Sequence, residues 1–137
     1  ITKYLSMREH SHHELLQKLL AKGYEQALCV ERIKQFQEAD IQSDLRFAEM
    51  IVRSRVAKGV GEQRIRHELN QQHVADELIE QAIAEQEIDW DELVLQVAVK
   101  KFGHKPAKDW PEQQKRNRFL QYRGFSHEQI RRLESAF

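Results

Sequence analysis

Apolar residues recur along the chain every three or four positions, which is the spacing that places them on one face of an α-helix. The sequence has no sustained alternation of apolar and polar positions, the pattern of a half-buried strand. The clearest helical stripes are Leu15, Leu16, Leu19 and Leu20, then Leu45, Ala48, Val52 and Val56, and then Leu78, Ala82 and Ile83. The pattern predicts an all-α fold.

The predicted helices begin and end at residues with capping chemistry. Ser11 with Glu14, and Ser126 with Gln129, have the spacing of a capping box, in which two side chains satisfy backbone N–H groups at a helix start. Asp89 precedes an acidic first turn, which the helix dipole favours. The glycines expected at helix ends are Gly23, Gly103 and Gly124. These signals divide the chain into short helices.

One sequence pattern occurs three times, in segments 19–36, 69–86 and 120–137. In each segment a Leu is followed four residues later by a turn residue, then by an apolar residue and an amphipathic helix. The turn residues are Gly23, His73 and Gly124, which are 50 and 51 residues apart. A period of this length is typical of helical repeats.

A further helix precedes the second and third segments, at roughly 44–58 and 90–102, and the end of such a helix, roughly 1–9, precedes the first. Each repeat is therefore a three-helix bundle, with the first helix of repeat 1 incomplete. Small bundles bury little apolar surface alone, so we expect neighbouring copies to pack into an elongated, curved helical-repeat body. The predicted repeats are 1–42, 43–88 and 89–137.

Two turns in the central repeat have unusual residues. Gly59-Val60-Gly61 breaks the pattern between its first two helices. His73 occupies a turn position where glycine is preferred, which predicts a left-handed backbone or a modified turn there.

Composition limits the classes of protein to consider. No apolar run is long enough for a membrane span, and no signal-peptide pattern opens the chain. Cys29 is the only cysteine, which excludes an internal disulfide and favours a reduced, cytoplasmic setting. We expect a folded, soluble protein without a membrane contact.

The sequence contains only weak candidates for a catalytic, metal-binding or cofactor-binding site. His10, His12 and His13 are close enough to suggest a metal, but no further ligands complete a site, and a capping box already accounts for this stretch. Gly59-Val60-Gly61 lacks the third glycine of a dinucleotide-binding loop, and Cys29 fits a buried apolar position. We expect no enzyme activity, no metal and no cofactor.

The aromatic residues next to basic ones allow two interpretations. Such interleaving occurs in nucleic-acid-binding proteins, but helical spacing favours core packing. We assign the core role to Phe47, Phe102, Phe119, Tyr122 and Phe125, and expect Trp90 and Trp110 to cover joints between repeats.

Charge is segregated, although the chain has 22 basic and 22 acidic residues and no net charge. Residues 76–92 are acidic without any Lys or Arg, whereas residues 46–66 and 100–132 are mainly basic. The basic side chains either form a solvated surface or contact an anionic partner, and arginine suits carboxylates and phosphates. The candidate contact residues are Arg46, Arg53, Arg55, Lys58, Arg64, Arg66, Lys100, Lys101, Lys115, Arg116, Arg118 and Arg123.

The segment "SDLRFAEMIVRSRVAKGVGEQRIRHELNQQHV" resembles the signature of the RecX family of bacterial recombination regulators. The matching residues are Asp44, Arg46, Phe47, Ala48, Arg55, Lys58, Gly59, Arg64, Ile65, Glu68 and Leu69. The segments "REHSHHELLQKLLAKG" and "RFLQYRGFSHEQI" also resemble RecX sequences, so the resemblance extends over the whole chain. His73 departs from the glycine usual in the family, and from the resemblance we expect that the sequence includes only the end of the first helix of repeat 1.

This resemblance implies three tandem three-helix repeats and a function. RecX proteins bind the RecA recombinase and its filament on DNA, and they suppress strand exchange, ATP hydrolysis and stimulation of repressor cleavage without catalysing a reaction. The resemblance thus implies a regulator whose partner is RecA, and we expect the chain to be a monomer.

The sequence leaves two points open. The protein would act either by blocking the filament groove or by capping a filament end. The alternative function is sequence-independent nucleic-acid binding, in which the basic helical faces bind phosphates directly.

Overall fold

The computed structural model describes residues 4–5, 8–40 and 42–135. Within these ranges the regular secondary structure is entirely α-helical, without a β-strand. The prediction of an all-α fold is therefore confirmed. The helices are α1 (His12–Ala21), α2 (Gln26–Glu38), α3 (Asp44–Ala57), α4 (Glu62–Gln71), α5 (Asp76–Glu85), α6 (Trp90–Phe102), α7 (Trp110–Tyr122) and α8 (His127–Ser135).

The helix starts have the predicted caps. The Gln129 backbone N–H donates to Ser126 Oγ at 3.2 Å, and the Ser126 N–H donates to Gln129 Oε1 at 2.9 Å, which is a complete capping box. Ser11 Oγ accepts from the backbone N–H of Glu14 at 3.0 Å. Asp89 caps α6 in the same way, accepting from the backbone N–H of Glu92. Local sequence therefore determines where these helices begin.

The turns after α1, α4 and α7 contain a residue in the left-handed region. Gly23 and Gly124 have φ of 90° and 103°, and His73 has φ of 58°, so the predicted left-handed conformation at His73 is confirmed. The His73 ring stacks on the ring of His13 with centroids 3.8 Å apart. The His73 side chain thus makes a stacking contact that a glycine at this turn could not make.

The described residues form two compact units, which we call unit 1 and unit 2. Unit 1 draws on residues 1–51 and 69–86, and unit 2 on residues 52–68 and 87–137. Each unit thus combines residues from more than one predicted repeat.

The core of unit 1 includes a cluster formed where α1 packs against α2. Leu15 and Ile33 are fully buried in it, with Leu19 and Cys29 beside them. Cys29 therefore has the buried position predicted for it.

The core of unit 2 lies where α6 packs against α7 and α8. Its buried residues are Leu93, Val94, Ala98, Leu120, Phe125, Ile130 and Leu133. Phe102, Phe119 and Trp90 pack against this cluster, and Phe47 is buried in unit 1. Two aromatic predictions are wrong: Tyr122 and Trp110 are 75% and 73% exposed, so neither packs in a core or covers a joint.

Two turns of unit 2 lie against each other through their backbones. The Gly61 N–H donates to the carbonyl of Arg123 at 2.7 Å, and the Gln63 N–H donates to the carbonyl of Gly124 at 3.1 Å. A Cβ at Gly61 would lie 2.4 Å from the Gly124 carbonyl carbon. Gly61 is therefore required by close backbone approach, and this contact brings the end of α3 next to the end of α7.

Candidate functional site

Four of the candidate arginines are engaged by carboxylates of the chain itself. Arg46 in unit 1 donates from Nε to Glu9 at 3.0 Å and from Nη1 to Asp40 at 2.9 Å. The hydrogen bond to Glu9 is the main cause that raises the pKa of Arg46. Arg46 therefore joins the start of α3 to the segments before α1 and after α2.

Arg55 forms a two-pronged ion pair between α3 and α4 of unit 2. Its Nε donates to Glu68 Oε1 at 2.9 Å and its Nη2 donates to Glu68 Oε2 at 2.7 Å. This hydrogen bonding raises the pKa of Arg55. The planar guanidinium matches a carboxylate in this geometry, so the pair fixes one helix against the other.

Arg66 and Arg116 pair with glutamates on their own helices. Arg66 Nε lies 3.6 Å from Glu62, and Arg116 Nη2 lies 3.0 Å from Glu112. Arg116 also donates to the carbonyl of Lys105 and lies over the Phe102 ring, so it packs α7 onto α6. Much of the charge of these two arginines is already neutralised.

The remaining eight candidate cations form no ion pair with another described residue. They are Arg53, Lys58, Arg64, Lys100, Lys101, Lys115, Arg118 and Arg123. Arg53, Lys115 and Arg118 are exposed on helix surfaces, and Arg64 lies over the exposed ring of Tyr122, 5.1 Å from its centroid. These side chains offer positive charge that no carboxylate among the described residues compensates.

Four of these eight cations line one cleft in unit 2, which we call the basic cleft. Its volume is about 480 Å³, and its cations are Lys58, Lys100, Lys101 and Arg123. Its other lining residues are Val56, Ala57, Gly59, Leu93, Gln96, Val97 and Phe119. Among the described residues that line the cleft there is no carboxylate.

The α3–α4 turn and the end of α7 shape this cleft. Arg123 Nη2 donates to the carbonyl of Lys58 at 2.5 Å, which ties the two segments together. Gly59 has φ of 76°, and a Cβ there would lie 2.8 Å from Val97 and 3.2 Å from Arg123 Nη2. Glycine at this position therefore allows the turn to approach α6 and α7 closely.

The electrostatics of the cleft favour an anionic ligand that also has an apolar part. Lys101 Nζ lies 5.3 Å from the centroid of the Phe119 ring, and the Arg123 guanidinium lies 5.9 Å from it. Arg123 Nε is buried without a hydrogen-bond partner among the described residues. Cations with aliphatic neighbours can bind carboxylates or phosphates that carry an apolar group.

The apolar part of this cleft was not predicted from the sequence. Val97 stands three and four positions before Lys100 and Lys101, so the three residues lie on one side of α6. That spacing was the available signal. The spacing could not show that the end of α3 lies against this side of α6.

The histidines near the start of the chain have structural partners. His10 is buried, and its Nε2 accepts a hydrogen bond from Lys18 Nζ at 3.0 Å. Because an ammonium group can only donate, the ring proton lies on Nδ1, which donates to the carbonyl of Arg8. Burial lowers the pKa of His10 below its usual value. Among the described residues, no group of three His, Cys, Asp or Glu side chains is arranged to hold a metal ion.

Within the described residues, none of the helices combines the length and apolar character that crossing a lipid bilayer requires.

The chain matches three models of one protein family. Models of the first, second and third three-helix domains of RecX match residues 2–33, 43–83 and 87–133, respectively. The prediction of three tandem three-helix repeats is thus confirmed. The exact repeat boundaries stay a prediction.

Individual proteins similar to this chain are also named RecX. Regulatory protein RecX of Vibrio parahaemolyticus is 52% identical over 126 residues, covering 92% of this chain and 81% of that protein. Regulatory protein RecX of Halorhodospira halophila is 36% identical over 134 residues, covering 98% of this chain and 83% of the relative.

Solved structures share the fold. A crystal structure of RecX from Lactobacillus salivarius has a TM-score of 0.78 and 22% identity, covering 98% of this chain and 92% of that chain. A crystal structure of regulatory protein RecX has a TM-score of 0.84 and 20% identity, covering 98% of this chain and 69% of that chain. From the matched domain models and the identity to these relatives, we conclude that the chain belongs to the RecX family of regulatory proteins.

Proposed function

We propose that this protein is a non-catalytic regulator that binds the RecA recombinase and its filament on DNA. It inhibits strand exchange, ATP hydrolysis and the stimulation of repressor cleavage by RecA. The observation that carries this proposal is membership in the RecX family, through matches to all three of its domains. We extend the proposal to a cytoplasmic monomer without a cofactor.

The basic cleft is the proposed contact surface for the filament. Its four cations have no carboxylate partner in the described chain, so binding an anionic surface would not break an existing ion pair. Complementary charge speeds encounter and fixes orientation, while partly desolvated pairs slow dissociation. Arg46, Arg55, Arg66 and Arg116 contribute less, because glutamates or aspartates of the chain already hold them.

A double charge reversal in the cleft tests this proposal. We expect Lys100→Glu with Lys101→Glu to raise the concentration needed for half-inhibition of the DNA-dependent ATPase of RecA by roughly tenfold or more. The matched control is Arg32→Glu with Lys34→Glu on α2, which changes the net charge equally at exposed residues outside the candidate set. The control should inhibit within about twofold of the unaltered protein.

Stability must be measured alongside inhibition. Lys100 and Lys101 lie in the last turn of α6, where positive charge favours the helix dipole. Lys100→Gln with Lys101→Gln removes the charge with a smaller effect on the helix, and its inhibition should be intermediate. If the folded reversal variant inhibited as well as the control, the cleft would not be the RecA contact.

The second candidate function is sequence-independent nucleic-acid binding. The absence of carboxylates from the described lining of the basic cleft favours it, because phosphates would meet no like charge there. In that case the protein would bind bare single-stranded DNA tightly, with an affinity that falls steeply as salt increases. A titration with labelled oligothymidylate at several salt concentrations, without RecA, separates this function from the first.

A further inference from the structure

We propose that the basic cleft binds an acidic, amphipathic peptide segment of the protein partner. An apolar side chain of that segment packs on the floor of the cleft, and flanking carboxylates pair with lysines at its rim. This inference deepens the proposed function and rests on it, since it assigns the chemistry of the contact.

The floor of the cleft suits an aliphatic side chain. Val56, Val97 and Leu93 line it, contributed by α3 and α6. Leu93 is 8% exposed and belongs to the core of unit 2, while Val56 and Val97 pack partly buried against that core. A guest side chain would therefore extend an existing apolar cluster and would be removed from water on binding.

The rim suits carboxylates on either side of that apolar residue. Lys58 lies after the end of α3, and Lys100 and Lys101 lie at the end of α6. All three lysines are exposed and lack an ion pair with the described residues. Because Lys58 lies in the turn after α3 and the other two lysines lie on α6, the three can contact two carboxylates of one segment at the same time.

The aromatic content of the cleft argues against a nucleic acid as its occupant. Single-stranded nucleic acid is held by bases stacked on open aromatic faces, in addition to phosphate contacts. Phe119 is the one aromatic residue among those that line the cleft. Lys101 and Arg123 lie over its ring, and Phe102 contacts it edge-on with centroids 5.5 Å apart. These neighbours occupy the Phe119 ring on which a base would have to stack.

A labelled synthetic peptide tests the inference on the full chain. The probe has about ten residues, with Leu on one helical face and Asp or Glu elsewhere. A second probe has every Leu replaced by Ser, and a third is an oligothymidylate of similar negative charge. Fluorescence anisotropy gives the affinity of each probe for the unaltered protein, the Lys100→Glu/Lys101→Glu variant and the Arg32→Glu/Lys34→Glu control.

We expect the Leu peptide to bind about tenfold or more tightly than the Ser peptide, since burial of one aliphatic side chain has an effect of that size. The Lys100→Glu/Lys101→Glu variant should lose this binding, whereas the control should keep it. Val97→Thr, which keeps the shape but replaces a methyl group with a hydroxyl group, should weaken binding of the Leu peptide and leave binding of the Ser peptide unchanged.

Three results would overturn the inference: equal binding of the Leu and Ser peptides, displacement of the Leu peptide by oligothymidylate at lower concentration than by the peptide itself, or peptide binding that survives charge reversal in the cleft. The RecA assay separates the two proposals. If the reversal variant loses inhibition of RecA but the Leu peptide never binds, the proposed function stands and the peptide inference falls. If the peptide binds in the cleft while the same variant inhibits RecA normally, the cleft is not the RecA contact and the inference falls with that assignment.

Discussion

At the residue scale, the candidate cations differ in whether the chain supplies them with a carboxylate. Arg46 and Arg55 are held by two hydrogen bonds or more, in geometry that the rigid, planar guanidinium favours. Lys58, Lys100 and Lys101 have compact, strongly hydrated charges and remain unpaired among the described residues. Arg46 and Arg55 therefore contribute mainly to the fold, whereas these three lysines, together with Arg123, form the charge of the basic cleft.

Several residues of the RecX-like signature have such roles in the fold. Asp44 Oδ1 accepts from the backbone N–H of His12 at 2.7 Å and so caps the start of α1. Phe47 and Ala48 are buried in unit 1. Arg55 and Glu68, both signature residues, pair with each other. A sequence signature alone does not distinguish such residues from those that bind a partner.

The Arg55–Glu68 pair should contribute measurably to stability. In a double-mutant cycle with Arg55→Ala and Glu68→Ala, we expect a coupling free energy of about 1 kcal/mol, because the pair is two-pronged and only about 30% exposed on each side. Urea denaturation gives the free energies of unfolding. Arg53→Ala on the same helix is the control, since Arg53 has no ion pair with the described residues, and it should change stability by less than about 0.5 kcal/mol. Loss of RecA inhibition by a stable Arg55→Ala variant would instead identify Arg55 as a contact residue.

At the element scale, the turns decide how the helices of unit 2 meet. In the turn between α3 and α4, Gly59 has a left-handed backbone, Val60 is buried and Gly61 contacts the turn after α7. The sequence predicted a break at these three residues, and the structure shows that each has a separate task. Gly61 is needed for close approach, whereas Gly59 is needed for both its φ and its proximity to Val97.

Gly61→Ala should therefore be strongly destabilising. The added Cβ would lie 2.4 Å from the Gly124 carbonyl carbon and 2.7 Å from the Phe125 nitrogen, and backbone atoms cannot rotate away. We expect a loss of about 3 kcal/mol in the free energy of unfolding.

Gly23→Ala is the control for this change. Gly23 also lies in a turn, but a Cβ there meets nothing within 4 Å, so the cost should be about 1 kcal/mol from its positive φ alone. Thermal or urea denaturation of both variants makes the comparison. Equal losses at Gly61 and Gly23 would show that the backbone contact contributes nothing.

At the scale of the whole molecule, each compact unit includes residues from more than one predicted repeat. Unit 2 combines residues 87–137 with residues 52–68 of the central repeat. The hydrogen bonds from Gly61 and Gln63 to the turn after α7 lie inside this unit, as does the contact of Arg123 with Lys58. Residues 52–68 of the central repeat therefore belong to the same compact unit as the third repeat, and we expect the third repeat to depend on this packing for its stability.

Fragments test this expectation. We expect residues 43–137 to unfold cooperatively, and residues 89–137 to show a broad transition at lower temperature, since a bundle of this size buries too little surface alone. Circular dichroism during heating measures both. A sharp transition of residues 89–137 at the temperature found for 43–137 would show that the third repeat is an independent folding unit.

The sequence by itself determined the helices, their caps, the turns and the number of repeats. The helices, caps and turns depend on residues within about four positions of each other, as Ser126 and Gln129 show, and helical periodicity and capping act over that distance. The number of repeats followed from the recurrence of this local pattern at intervals of 50 and 51 residues. The buried position of Cys29 followed from the same pattern.

Only the tertiary structure decided which side chains meet. Lys58, Lys100 and Arg123 lie on three different segments, and the exposed positions of Tyr122 and Trp110 also had no signal in the helical pattern. Periodicity shows that a helix has an inner face, but the partner of that face depends on packing between residues far apart in the chain. For the same reason, sequence could not separate Arg55, held by Glu68, from the lysines that line the basic cleft.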